Sequence, residues 1–158
     1  MIKNEALIVC QKRFIFPIFL FHPLYCEPDL LDLMIDSPCD FALPRIDGKE
    51  MSFYKDKKGV SLLRNSYGIF EPQRDCSLIL PDAYTLVCVP SLSCDPFGVR
   101  LGSGGGYYDR FMEKHPEPYY VGTLFEPFCM EKLLHDPWDQ PVHSICTDQG
   151  IRPSLAQI

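Results

Sequence analysis

The sequence lacks any excess of basic residues: 15 Lys and Arg face 21 Asp and Glu, for a formal net charge of -6. A nucleic-acid binder normally carries a basic domain or stripe, so that class is set aside. The lysine cluster KDKKG at Lys55–Gly59 reads as a solvated turn between strands. No C-x-x-C pair occurs among the 8 cysteines, which removes the zinc-ribbon and thioredoxin readings. Several thiols sit instead in apolar runs, as Cys88 does in LVCVP, a placement suited to buried cysteines in a reducing cytosol. No hydrophobic run reaches membrane-spanning length. The apolar segment FIFPIFLF, Phe14 to Phe21, is short, contains Pro17 and follows QKR, so it reads as a buried strand rather than a signal peptide or a span. Internal repeats and low-complexity tails are absent as well.

What is present is ordinary globular material. A chain of 158 residues, 46% hydrophobic and 23% charged, suits one domain with one sizeable core. Phe14 to His22 reads as a strand buried on both faces. EPDLLDLMID then carries Pro28 near a helix start and Leu30, Leu31, Met34 and Ile35 at helical spacing. Phe41 to Pro44 and Met51 to Tyr54 are short strands around the turn-forming Asp47-Gly48, and Asn65 to Asp75 is a loop. Tyr84 to Pro90 is the strongest strand. A long glycine-bearing loop follows it, and a helix from Tyr107 to Lys114 begins where the glycines stop. YYVGTLF is a strand, MEKLLHD a short helix and HSICTD a last strand. Alternating strands and helices predict an α/β sandwich with a mostly parallel sheet.

The chemistry concentrates in VRLGSGGGYYDRF, Val99 to Phe111. A strand, a glycine-rich loop and a helix in that order form an anion site, because free amides at a helix start point outward and the helix dipole favours negative charge. Glycines let a phosphate approach those amides closely, and Arg100 and Arg110 flank them with charge-assisted donors. A Walker loop requires a lysine where Tyr107 follows Gly106, and the G-x-G-x-x-G spacing of a Rossmann turn is not met. A flexible loop with packing aromatics and a sugar-phosphate site in an isomerase-like domain are the competing readings of the glycines alone.

The longer stretch VPSLSCDPFGVRLGSGGGYYDRF resembles the signature of the 5-formyltetrahydrofolate cyclo-ligase (methenyltetrahydrofolate synthetase) family. Arg100, Leu101, Gly102, Gly104, Gly106, Tyr107, Tyr108 and Asp109 fall on its pattern, and Val89, Pro90, Asp95 and Gly98 keep its spacing. FLFHPLYCEPDLLDLM, FALPRIDGKEMSFY, NSYGIFEP and the tail from Val121 to Ile151 extend the likeness over about Arg13 to Ile151. The chain departs from the pattern at Cys94, Ser103, Phe128 and His143. The last would bring positive charge to the site below about pH 6.5.

The resemblance implies a three-layer sandwich of the NagB/RpiA/CoA-transferase-like kind. It implies ATP- and magnesium-dependent closure of 5-formyltetrahydrofolate to 5,10-methenyltetrahydrofolate, in a cytoplasmic protein, a monomer or alternatively an oligomer, whose partners are small molecules rather than nucleic acid or membrane. By match to the motif, Arg100, Leu101, Gly102, Ser103, Gly104, Gly105, Gly106, Tyr107 and Tyr108 would hold ATP, with Arg100 and Tyr108 catalytic. Asp109 and Asp139 would hold magnesium, while His22, Glu27 and Tyr107 would contact the folate. Taken alone, Glu27 is a helix-start carboxylate and Asp139 a surface turn residue. Residues 1–158 are expected to form a single domain whose N-terminal helical region is shortened or missing, since only MIKNEALIVCQK precedes the first strand. The alternative to an active enzyme is a folate- or nucleotide-binding homologue that keeps the fold without the reaction.

Overall fold

The computed structural model describes residues 17–24, 26–32, 40–55, 62–65 and 68–155. Among them run the strands β1 (Ile18–Phe19), β2 (Phe41–Asp47), β3 (Glu50–Lys55), β4 (Leu62–Arg64), β5 (Phe70–Pro72) and β6 (Leu78–Ile79). These are followed by β7 (Leu86–Pro90), β8 (Ser93–Cys94), β9 (Arg100–Leu101), the helix α1 (Tyr107–Lys114), β10 (Tyr119–Thr123), β11 (Ser144–Thr147) and β12 (Gly150–Pro153).

Eight strands form one sheet in the order β12-β11-β10-β7-β1-β2-β3-β6. The middle five, β11 to β2, are parallel, and the flanking strands β12, β3 and β6 pair antiparallel. This is the mostly parallel sheet expected of the apolar runs at 84–90 and 119–125, in which Thr85 to Val89 and Tyr120 to Leu124 are buried while Tyr84 and Phe125 at the ends are exposed. The alternation is clear: Ile18, Leu20, Leu86, Cys88 and Val121 pack on one face, and Phe19, Val87, Val89, Tyr120 and Ile145 on the other. Phe111 and Met112 of α1 cover the second face, where the Phe53 ring lies 4.4 Å from Phe19 and 5.0 Å from Phe111. Each such buried aromatic contributes about 1.5–3 kcal/mol relative to exposure. Leu30, partly buried Leu31 and Phe21 pack on the first face.

Strand order locates the site. From β1 the chain passes to β2 on one side, and β7 later returns to the other side of β1. The order of the sheet therefore reverses between β1 and β7, and in open parallel sheets a crevice opens beyond the carboxyl ends of strands at such a reversal.

Several sequence expectations change. Within EPDLLDLMID, Glu27 to Asp32 forms bends and turns rather than helix, and the remainder lies outside the described residues. MEKLLHD is irregular because its backbone donors are taken by distant partners: Met130 N donates to Cys94 O at 2.9 Å and Leu133 N to Asp95 Oδ2 at 3.0 Å. A single 3-10 turn at Glu126–Phe128 precedes it instead. The expected loop 65–75 contains β5, paired with β4, and the tail holds a further strand, β12, beyond HSICT. The strand expected over 14–22 is limited to Ile18–Phe19 among the described residues, and most of KDKKG lies outside them. The hairpin turn falls on Gly48-Lys49, one residue later than expected. Cys88, Cys94 and Cys146 are buried, as their apolar settings suggested. Among the described residues no helix is long and apolar enough to cross a membrane.

Candidate active site

The glycine stretch is prepared by the hairpin before it. Strands β8 and β9 pair Cys94 with Arg100, and the turn between them is wound around Asp95, which is 1% exposed. Asp95 Oδ1 accepts from Phe97 N and Val99 N at 3.0 and 3.1 Å, while Oδ2 takes Leu133 N. One buried carboxylate thus fixes the hairpin and fastens the 130–139 loop to it.

Arg100 leaves this hairpin with its side chain 5% exposed and donates through Nη2 to Asp109 Oδ1 at 2.8 Å. Gly102 to Gly106 then cross to α1, and Gly106 caps the helix at φ 64°, a left-handed conformation that a residue with Cβ adopts only under strain. A Cβ there would also meet Arg110 Nη1 at 2.7 Å. Arg110 donates from Nη2 to Gly105 O at 3.0 Å and from Nε to Lys49 O at 3.2 Å, and its guanidinium sits 5.0 Å from the Tyr107 ring. The Tyr107 hydroxyl donates to Gly48 O at 3.3 Å. Arg110, which its sequence position presents as a phosphate donor, therefore clamps the loop against the β2–β3 turn.

The loop borders a cleft of about 830 Å³ at the carboxyl ends of β1 and β7. Such a volume suits a sizeable small molecule. Every candidate site residue lines it: His22 and Glu27 after β1, Arg100 to Asp109 from β9 to the first turn of α1, and Asp139 from the 130–139 loop. Three buried side-chain atoms here have no hydrogen-bond partner, namely His22 Nδ1, Arg100 Nε and the Tyr108 hydroxyl. Buried polar atoms are normally paired, so three orphans on one cleft point to a ligand that pairs them.

Electrostatics sets their protonation. Burial, reinforced by the Glu27 charge, pushes the Tyr108 hydroxyl far above its ordinary range, so it stays a donor. Burial also raises the Glu27 carboxyl, against the hydrogen bond from Leu24 N to Oε2 at 2.8 Å. His22 is pulled below the usual histidine value, chiefly by burial, which outweighs the Asp29 charge. Near neutrality it is an uncharged imidazole.

Asp109 Oδ1 also accepts from Gln140 N at 3.1 Å, which brings the neighbouring Asp139 to the same end of the cleft. Asp139 Oδ2 accepts from Asp136 N at 2.8 Å and so closes a turn, as the sequence alone suggested. Among the described residues no three His, Cys, Asp or Glu side chains form a metal cage. His143 does not line the cleft: its ring stacks against Tyr119 and Tyr120 at the sheet, and its Nδ1 accepts from Tyr120 N at 3.0 Å. The expected addition of charge to the site by His143 is thereby overturned, because the side chain points into the sheet packing instead. Sequence reasoning missed Glu71, Leu134, His135 and Trp138 on the cleft wall. The last three were hidden by the helix assigned to 130–136 and the turn after it.

Comparison with known proteins resolves the lineage. The model of the 5-formyltetrahydrofolate cyclo-ligase family matches residues 28–148. The chain belongs to that family. Among cyclo-ligase relatives, the 5-formyltetrahydrofolate cyclo-ligase of Escherichia coli K12 is 34% identical over 93 residues, covering 57% of this chain and 51% of the relative. The Haemophilus influenzae protein of the same name is 32% identical over 85 residues, covering 52% and 46%. The chain thus spans about half the length of the curated relatives it matches. A solved 5,10-methenyltetrahydrofolate synthetase from Aquifex aeolicus superposes with a TM-score of 0.81 at 26% identity, covering 98% of this chain and 81% of that one. A Mycoplasma pneumoniae synthetase shares the fold at TM-score 0.71 and 19% identity, covering 93% and 82%. The cyclo-ligase match begins one residue after Glu27, so His22 and Glu27 enter the site through the fold rather than through the matched span.

Proposed function

We propose that this cleft binds ATP and 5-formyltetrahydrofolate and closes the folate to 5,10-methenyltetrahydrofolate, releasing ADP and phosphate. The observation that carries the reading is the meeting, in one cleft, of the glycine loop, the buried Arg100–Asp109 pair and the unpartnered Tyr108 and His22 atoms. We read the chain as a single cyclo-ligase-like domain.

In this reading the formyl oxygen attacks the γ-phosphorus and ADP leaves. The neighbouring folate nitrogen then closes on the activated carbon, and phosphate departs with the formyl oxygen. Such phosphoryl transfer requires positioning and charge stabilisation more than a protein nucleophile. The amides of Gly104 to Tyr107 and the Arg100 guanidinium hold the phosphates, with Leu101, Gly102 and Ser103 forming the approach. Asp109 holds Arg100 in place before the ligand arrives, which spares the cost of ordering a long side chain. Tyr108 donates from its protonated hydroxyl to the developing charge. Glu27 accepts from the N–H edge of the pterin, His22 offers a neutral nitrogen beside it, and the Tyr107 ring packs against the bound ligands.

Magnesium suits the donor set. Asp109 and Asp139 line the same cleft, and each has one carboxylate oxygen engaged by a backbone or arginine donor and the other without a partner among the described residues. That ion takes one or two carboxylates, phosphate oxygens and water rather than a full protein cage, and when bound it neutralises phosphate charge. The test is the absorbance of methenyl product after folate, ATP and magnesium are mixed with folded protein. Turnover that requires all three supports the reading. Binding of both ligands by calorimetry without product would instead identify a binding homologue.

A further inference from the structure

The 131–139 loop presents its largest apolar side chains to solvent at the cleft. Leu134 is 99% exposed and Trp138 67%, and both line the cavity wall. Singly exposed apolar side chains are ordinary, but two of them on the wall of one ligand-sized cleft mark a surface for an apolar part of a ligand. The loop is not loose at these points. Asp136 N and Asp139 Oδ2 close a turn around Trp138, Asp139 N returns to Asp136 O at 3.1 Å, and Gln140 N fastens the next residue to Asp109. Leu133 N is held by the buried Asp95. The indole therefore hangs from a backbone tied to the Arg100–Asp109 pair, and not from a wandering loop.

The cleft makes two separate demands. Unpartnered polar atoms from His22, Arg100 and Tyr108 call for hydrogen-bonding groups, and the exposed indole with Leu134 calls for a flat apolar surface. A heteroaromatic ring system with a polar edge meets both. We propose that Trp138 is a stacking residue for such a ring, with Leu134 closing against its rim. The proposal rests on the cyclo-ligase reading only for the identity of the ring, since ATP and the reduced folate each carry one.

Trp138 is the single tryptophan in the chain, so its emission reports on this position alone. We would titrate the full chain separately with ADP and with 5-formyltetrahydrofolate, following both emission and heat. One of the two ligands is expected to quench Trp138, and that ligand identifies the ring. Base–aromatic stacking lowers affinity by roughly tenfold when the aromatic is removed. Trp138→Ala should therefore raise the Kd of that ligand about tenfold and leave the other within twofold, Trp138→Phe should recover most of the loss, and Trp138→Leu should not. In turnover the loss should appear in KM rather than kcat. Heat of binding without any emission change, or equal affinities for Trp138→Ala and the parent, overturns the stacking role while leaving the cyclo-ligase reading intact. Absence of binding heat with both ligands overturns the two together.

Discussion

Two arginine–carboxylate pairs in this molecule have nearly the same length and opposite character. Arg152 Nη1 meets Glu126 Oε2 at 3.0 Å on the far part of the sheet, with side chains 41% and 26% exposed. Thr147 Oγ1 donates to the same Glu126 oxygen at 2.6 Å, and Arg152 Nη2 reaches Cys129 Sγ at 2.9 Å, so this network is consumed by its own members. The Arg100–Asp109 pair, at 2.8 Å, is far less exposed and leaves Arg100 Nε and the nearby Tyr108 hydroxyl without partners. The difference teaches how to tell a strut from a site. A closed polar network stabilises, whereas a buried network with unpartnered polar atoms sacrifices stability to hold a ligand.

Removing Arg100 is the largest blow to that contrast. Arg100→Ala leaves a mostly buried Asp109 carboxylate without its countercharge, which should cost about 3–5 kcal/mol in urea denaturation and abolish ATP binding in calorimetry. Arg100→Lys, which keeps the charge, should fold nearly as well as the parent yet bind nucleotide poorly, because a lysine cannot reproduce the guanidinium fork.

Tyr108→Phe sharpens the comparison in the opposite direction. Deleting a buried, unpartnered hydroxyl removes a desolvation cost, so the unliganded chain should gain about 1 kcal/mol of stability while turnover falls. A loss of stability would show that the hydroxyl is already satisfied, and the site would then resemble the strut.

At the other network, Glu126→Ala should cost only about 0.5–1 kcal/mol, as expected for a partly solvated pair, and leave ligand affinities unchanged. Glu126 titrates below its usual value, chiefly through the Thr147 and Arg152 hydrogen bonds, so its contribution is fully present above the ordinary carboxylate range and is lost as pH falls from there through the lowered folded value.

The smallest effect is a pH slope. His22 and His115 are both lowered from the ordinary 6.5, chiefly by burial, so the unfolded chain binds their protons more readily than the folded one. Stability should then fall as pH drops below 6.5 toward the folded values, and His22→Asn and His115→Asn should each flatten part of that slope in thermal melts. An unchanged slope in His22→Asn would mean that the imidazole is not buried against the cleft.

How much of this was readable beforehand depends on the range of the forces involved. Helix α1 appears over Tyr107 to Lys114 as the sequence suggested, because its start is set by a glycine at the cap and its buried face by Phe111 and Met112 within the same eight residues. Strand β7 was legible from the run Leu86 to Val89, all four buried, although it begins at Leu86 rather than at the expected Tyr84, which lies in the preceding turn. The segment 130–136 misled because its helical spacing is real, yet Cys94 O and Asp95 Oδ2 claim its amides from 36 to 38 residues away. Arg110 looked like Arg100 in the sequence, but only Arg110 has the Gly105 and Lys49 carbonyls within reach.

By itself, then, the sequence determined the glycine loop, the helix it feeds, the apolar strands and the family resemblance, since each is written in residues that act on their neighbours. Tertiary structure alone decided that β7 returns beside β1 and opens the cleft there. It also decided that Asp109 faces Arg100, that His143 turns into the sheet, and that Trp138 stands at the rim. Those outcomes depend on strand order and on hydrogen bonds between distant segments, and neither is written in any short stretch of chain.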